Sequence, residues 1–142
     1  MAVTAHFYNS FFTALAQGKI NLTSDTLKLA LVGSGYTPNQ AADQFWSTPQ
    51  AYEISGTGYT AGGVVIGSIA ITTAGWDFTG ANAQWSSATF SAYKAVLYDA
   101  QSGSAATDPL IGWVDFGGVQ SPSNGVFAVN WAAAGIGVIT PA

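Results

Sequence analysis

AYKAVLYDAQSGSAATDPLIGWVDFGG, residues 92–118, is the stretch whose reading decides the fold. Both flanks alternate with the two-residue period of a strand. In the first flank Tyr93, Ala95 and Leu97 share one face, and Lys94, Val96 and Tyr98 share the other. In the second, Leu110, Gly112, Val114 and Phe116 are set against Ile111, Trp113 and Asp115. Pro109 stands where a strand can begin without losing a ladder hydrogen bond. Asp108 before it favours a turn or an extended approach. The pattern predicts an antiparallel hairpin with a long loop. Aromatic residues on both faces predict that it is an inner hairpin, covered on each side.

Working outward, residues 5–17 carry a helical stripe of Phe7, Phe11, Ala14 and Leu15, with Tyr8 and Phe12 beside it. Thr4 is the candidate N-cap and Gly18 the stop signal. DTLKLALV, residues 25–32, reads as a strand with Leu27, Leu29 and Leu31 on the core face and Lys28, Ala30 and Val32 opposite. Residues 33–50 form a long irregular stretch holding Pro38, Pro49 and the adjacent pair Phe45–Trp46. A loop of that length inside a compact domain is often functional. Further short strands are predicted over 52–55, over 64–73 with a break at Gly67, over 76–78 and 83–85, and over 136–140. A turn is expected at Ala74–Gly75. Residues 126–131 alternate cleanly, Val126, Ala128 and Asn130 against Phe127, Val129 and Trp131.

About eight short strands with turns every 8–12 residues predict one all-β domain. The expected architecture is a β-sandwich, jelly-roll-like, with one short N-terminal amphipathic helix.

Composition narrows the function. Of the 142 residues, 49% are hydrophobic and 13% aromatic, but only 7% are charged, against about 25% in ordinary domains. There is no Arg, and Lys19, Lys28 and Lys94 are the only lysines. Neutralising phosphates needs Lys and Arg, so nucleic acid is not an expected partner, and a polybasic membrane anchor is missing for the same reason. No run reaches the roughly 20 apolar residues of a membrane span, and MAVTAHFYNSFF lacks the basic start and apolar core of a secretion leader. The chain has no Cys. A surface so poor in ions is either a hydroxyl-rich free surface or one that spends its life against other protein, since interface cores are depleted of charge.

Catalytic signals are sparse. His6 is the sole histidine, and any Ser-His-Asp arrangement would have to use it. GSG (33–35) and SGTG (55–58) lack the strand–turn–helix setting of a nucleophile elbow. SGTGYTAGG (55–63) lacks the lysine of a phosphate-binding loop. Asp99, Asp108 and Asp115 come close if the hairpin closes, which makes them the candidate Ca²⁺ set. The structural reading is that they are loop residues bonded to turn backbone. No cofactor is expected. Of the tryptophans, Trp46 stands out: beside Phe45 in the long loop it is either an anchor into a neighbouring subunit or a plug over the protein's own sandwich.

The order of FYNSFFTALAQGKINLTSDTLKLALV (7–32), SGYTPNQAADQFW (34–46), EISGTGYTAGG (53–63), YKAVLYD (93–99) with PLIGWVDFGG (109–118), and SPSNGVFAVNWAAAGI (121–136) resembles that of a family of small tailed-bacteriophage virion structural proteins. The likeness runs over nearly the whole chain. It implies a virion component without enzymatic activity, made in the host cytoplasm. Within that class the small, ion-poor chain fits a capsid decoration, or cement, protein on the head surface, with the major capsid protein and other copies of itself, as a homotrimer, for partners. The candidate interface residues are Phe7, Phe11, Phe12, Phe45 and Trp46. The alternative is a tail or host-attachment component whose sandwich binds glycan through Trp46 or Trp76. A small hydrolase built on His6 is the third reading.

Overall fold

The computed structural model describes residues 3–72, 77–132 and 135–138. In chain order the elements are β1 (Thr4–Phe7), α1 (Asn9–Ala16), β2 (Leu27–Val32), α2 (Ser47–Gln50), β3 (Val64–Val65), β4 (Ala70–Thr72), β5 (Asp77–Thr79), β6 (Ala83–Ala88), β7 (Ala92–Asp99), β8 (Leu110–Gln120), β9 (Gly125–Val129) and β10 (Gly137–Val138). The domain is all-β with a short N-terminal helix. A five-stranded sheet runs β1-β8-β7-β2-β3, a three-stranded sheet β10-β5-β4, and β6 pairs with β9. All of these pairings are antiparallel.

The hairpin read from residues 92–118 is β7–β8, and it lies at the centre of the larger sheet. Both of its faces are covered. Ala95, Leu97, Val114 and Phe116 join Leu27, Leu29 and Leu31 in a core closed by Phe78, Trp85 and Val129 from the smaller sheets and by Phe11 of α1. Val96, Tyr98, Leu110, Ala30 and Val32 face the other way, under Tyr8, Tyr36 and Trp46. The alternation of β2 and of residues 126–131 also holds: Val126 and Ala128 are exposed, Val129 is buried, and Phe127 packs on the core.

One alternation fails at a definable point. Leu97 pairs with Gly112, but Tyr98 pairs with Leu110. Ile111 is the extra residue of a bulge, and a bulge shifts the two-residue period by one. Ile111 therefore faces the larger core beside Val114, and Leu110 faces the second core, the reverse of the simple alternation.

The helix is shorter than residues 5–17. Residues 4–7 pair in register with β8, from Thr4 with Asp115 to Phe7 with Gly112. Thr4 is thus a strand residue, and Tyr8 takes the N-cap place without a side-chain cap bond. The free edge of β8 supplies backbone partners that a helical turn could not use, so sheet pairing wins over a modest local stripe. The stop is where expected. Gly18 has φ +71, its N–H bonds Leu15 O at 3.2 Å, and the Lys19 N–H bonds Ala14 O at 2.9 Å. That pair of bonds is a Schellman cap.

Elsewhere, the strand expected over 52–55 reduces to one bridge between Glu53 and Val32. The strand expected over 64–73 divides between two sheets as β3 and β4, so the break at Gly67 is where the chain changes layer. β5 starts at Asp77 and β6 extends to Ala88. The Ala74–Gly75 turn, Trp76 and positions 139–140 lie outside the described residues.

Residues 33–50 are a structural cover. The Gln40 Nε2 amide donates to Phe7 O at 2.7 Å, the Asn9 N–H donates to Gln40 O at 3.0 Å, and the Trp46 N–H donates to Asp108 O at 2.9 Å. Beneath, Tyr36 donates to Asp43 Oδ2 at 2.7 Å, and the Tyr8 and Tyr36 hydroxyls lie 2.8 Å apart. These bonds tie the cover to α1 and to the start of β8.

Candidate functional site

The five candidate interface residues separate. Phe11 is fully buried, stacked with Phe7 at 5.2 Å, and Phe7 itself is partly buried against the core. Trp46 is buried, its ring 4.4 Å from that of Tyr98 with the planes 3° apart. It is the plug over the protein's own sheet, and the anchor reading fails. Phe12 and Phe45 are exposed. The glycan reading also loses Trp46, and Trp76 is outside the described residues. Trp85 is buried. Trp113 is half-buried between His6 and Tyr8, and the Trp131 ring nitrogen donates to Ala81 O at 2.8 Å.

The acids are occupied in holding the fold. Asp43 Oδ2 also accepts the Asn39 N–H, and Asp25 Oδ2 accepts the Asn21 N–H. Glu53 Oε2 accepts the Tyr59 hydroxyl and the Gly62 N–H, both at 2.6 Å, which clamps the glycine-rich 55–63 loop. Asp108 is buried and accepts Ser102 Oγ at 2.5 Å. Asp115 bonds the Gly117 N–H and lies 3.8 Å from Lys94, its partner in register. Asp77 accepts the Thr72 hydroxyl. The Ca²⁺ set does not form: Asp115 is engaged across β7–β8, and no group of three metal-ligating side chains gathers among the described residues. His6 stacks on Trp113 at 4.9 Å.

Asp99 is the exception. It is fully buried at the end of β7, and its Oδ1 accepts the Gln101 N–H at 2.9 Å. Its Oδ2 has no donor among the described residues and faces the Asp25 carboxyl. Burial first, then the Asp25 carboxyl and the Asp108 charge, raise its pKa to about 7. A folded-state pKa above the unfolded value means the folded chain binds the extra proton between about pH 4 and 7. The contribution is therefore complete below the unfolded pKa and is lost as pH rises through about 7. Asp99→Asn, which removes the buried anion, is expected to stabilise the protein by on the order of 2 kcal/mol at pH 8 and by almost nothing at pH 4. Urea unfolding at the two pH values measures this, and an equal effect at both would contradict the assignment.

Two clefts stand out on the surface of the described residues. One, of about 380 Å³, is apolar, with Phe12, Trp113, Trp131 and Ile136 among its walls. The other, of about 510 Å³, lies between α1, the 41–45 segment and the 99–109 loop, and includes Phe45 and Asp99.

The outer side of the β6–β9 ribbon is an uncharged surface. Neither strand contains a charged residue. Gln84 is opposite Ala128 in register, and Gln84, Ser86, Val126 and Ala128 all point outward. Val126 is 63% exposed, and Val119, at the end of β8, is 48% exposed. Free antiparallel ribbons normally turn polar and charged residues to water. The alternation of residues 126–131 contained this surface, but the aromatic pairs drew the interface assignment elsewhere.

No helix among the described residues is long and apolar enough to cross a membrane. Neither the protein-family models, nor the curated proteins, nor the solved structures compared with this chain match it. The reading of its function therefore rests on its own residues.

Proposed function

We propose that this chain is a non-enzymatic structural protein of a tailed-phage virion, a capsid decoration protein that associates with copies of itself, as a trimer, and with the major capsid protein of the head. The observation that carries the reading is the uncharged outward side of β6–β9, with Val126 and Ala128 exposed. The low ion count supports it, because three lysines and seven acids give a free monomer few charges for staying dispersed. The order of sequence motifs supports the virion assignment. Repetition over a shell lattice turns modest individual contacts into tight retention, and binding that prefers the assembled shell stabilises it by mass action.

Electron microscopy of the purified virion tests the location. Density for the chain at regular positions on the head is expected, and density confined to the tail would overturn the decoration reading. The surface is tested by the double variant Val126→Lys with Ala128→Lys. Both side chains are exposed, so monomer stability is expected to change by no more than about 0.5 kcal/mol. Charges buried across an interface without partners are costly, so the oligomer is expected to dissociate to monomers by size-exclusion chromatography with light scattering. An unchanged mass would remove this ribbon from the interface.

A further inference from the structure

We propose that the cleft between α1, the 41–45 segment and the 99–109 loop is a saccharide-binding site, with Phe45 as its stacking platform and Asp99 on its inner wall. The inference is independent of where the chain sits in a virion. The walls carry neutral side chains from three separate segments: Thr13 of α1 and Gln17 just past its end, Gln44 beside Phe45, and Gln101 and Thr107 of the hairpin loop, the last two also bonded within the fold to the Thr26 N–H and the Ser102 hydroxyl. Hydroxyls and amides both donate and accept, which matches a ligand whose own groups are hydroxyls. Phe45 is 38% exposed at the cleft, presenting apolar surface for the C–H face of a sugar ring. Trp46, its neighbour, is held inside against Tyr98, so the backbone at this point is fixed by the buried ring.

The second, independent observation is the buried Asp99 Oδ2, which has no hydrogen-bond donor among the described residues. Above about pH 7, where Asp99 is ionised beside the Asp25 carboxyl, a buried acceptor without a donor is unfavourable, and a ligand hydroxyl reaching the inner wall supplies one. The same oxygen also suits a cationic side chain of a partner protein. Two features favour the sugar. Lys19 lies on the cleft wall and repels a cation, and an ammonium or guanidinium group leaves the Thr13 hydroxyl and the Gln17 and Gln44 amides unused.

The test is a glycan array probed with the full chain, followed by NMR titration of the isotopically labelled chain with each glycan that binds. The expected result is binding with amide shifts concentrated at Gln44, Phe45, Gln101 and Thr107. Phe45→Ala, a change at an exposed position that leaves the fold intact, is expected to weaken binding at least about tenfold, the loss of one stacking contact. Asp99→Asn is expected to weaken it by a smaller factor, and its amide spectrum reports separately whether it has folded. Three results would overturn the proposal: no glycan shifting these amides at about 10 mM, binding that survives Phe45→Ala unchanged, or a lysine-rich peptide that shifts the same amides at lower concentration than any glycan.

Discussion

Trp46→Ala is expected to lower the unfolding free energy by about 3–5 kcal/mol, the range for removing a fully packed aromatic side chain. Trp46 closes the second core, and its ring lies flat on Tyr98 with Ala30, Val32, Val96 and Leu110 around it. Removing the ring leaves a cavity whose far wall is the central hairpin, and a sheet in mid-register relaxes poorly into such a space. Against a total stability of about 5–15 kcal/mol this is a large fraction. With m near 2 kcal/mol/M the urea midpoint is expected to fall by about 2 M. Limited proteolysis should show new cleavage within residues 33–50, because the cover loses the side chain that seats it. A loss under about 1 kcal/mol would mean that the loop rests on the sheet without contributing to it. Phe45→Ala, one residue away and exposed, is the control and is expected to change stability little.

Gly63→Ala is expected to cost about 3–5 kcal/mol for a different reason. Gly63 has φ +83, where an L side chain is strained, and an added Cβ would stand 2.0 Å from Leu29 O and 2.6 Å from Ala30 Cα. Both are backbone atoms of β2 and cannot swing aside. The methyl is accommodated only by lifting residue 63 off the sheet, which strains the β3 pairing with Leu29. The strain alone is about 1–3 kcal/mol, and each disrupted backbone hydrogen bond adds about 1 kcal/mol. The bonds from the Gly62 N–H to Glu53 and from Tyr98 to Gly62 O are expected to loosen with it. Hydrogen exchange at Leu29 and Val64 measures the local effect and denaturant unfolding the global one. Gly18→Ala is the comparison: its φ is also positive, but a Cβ there meets nothing within 4 Å, so it bears the conformational strain alone. Equal losses at the two glycines would contradict the steric account.

The central hairpin was legible because two long strands with aromatics on both faces admit only an inner position. The bulge at Ile111 was not read, although Gly112 beside it is the residue type that accompanies such irregularities. The stripe of Phe7, Phe11 and Ala14 misplaced the start of the helix because Phe7 packs on Phe11 whether it ends a strand or begins a helix. In the sequence, adjacent Phe45 and Trp46 look like one aromatic unit. Phe45 bridges Pro109 while Trp46 already has helical dihedrals at the start of α2, and the two side chains diverge, one outward and one inward. The cleft around Phe45 had no local signal at all, since its walls come from residues 9–19, 41–45 and 99–109, which only the fold brings together. The ion-poor composition was plain from the start. What the structure adds is that the β6–β9 strands, which hold no charged residue, turn Val126 and Ala128 outward.

That surface leads to the most direct measurement, sedimentation velocity of the purified chain from about 1 µM to about 1 mM, concentrations that span weak to moderate self-association. The account predicts a discrete species of three 14.6 kDa chains that the double lysine variant at Val126 and Ala128 abolishes. A single 14.6 kDa monomer at every concentration, dispersed and soluble with this surface facing water, would contradict it.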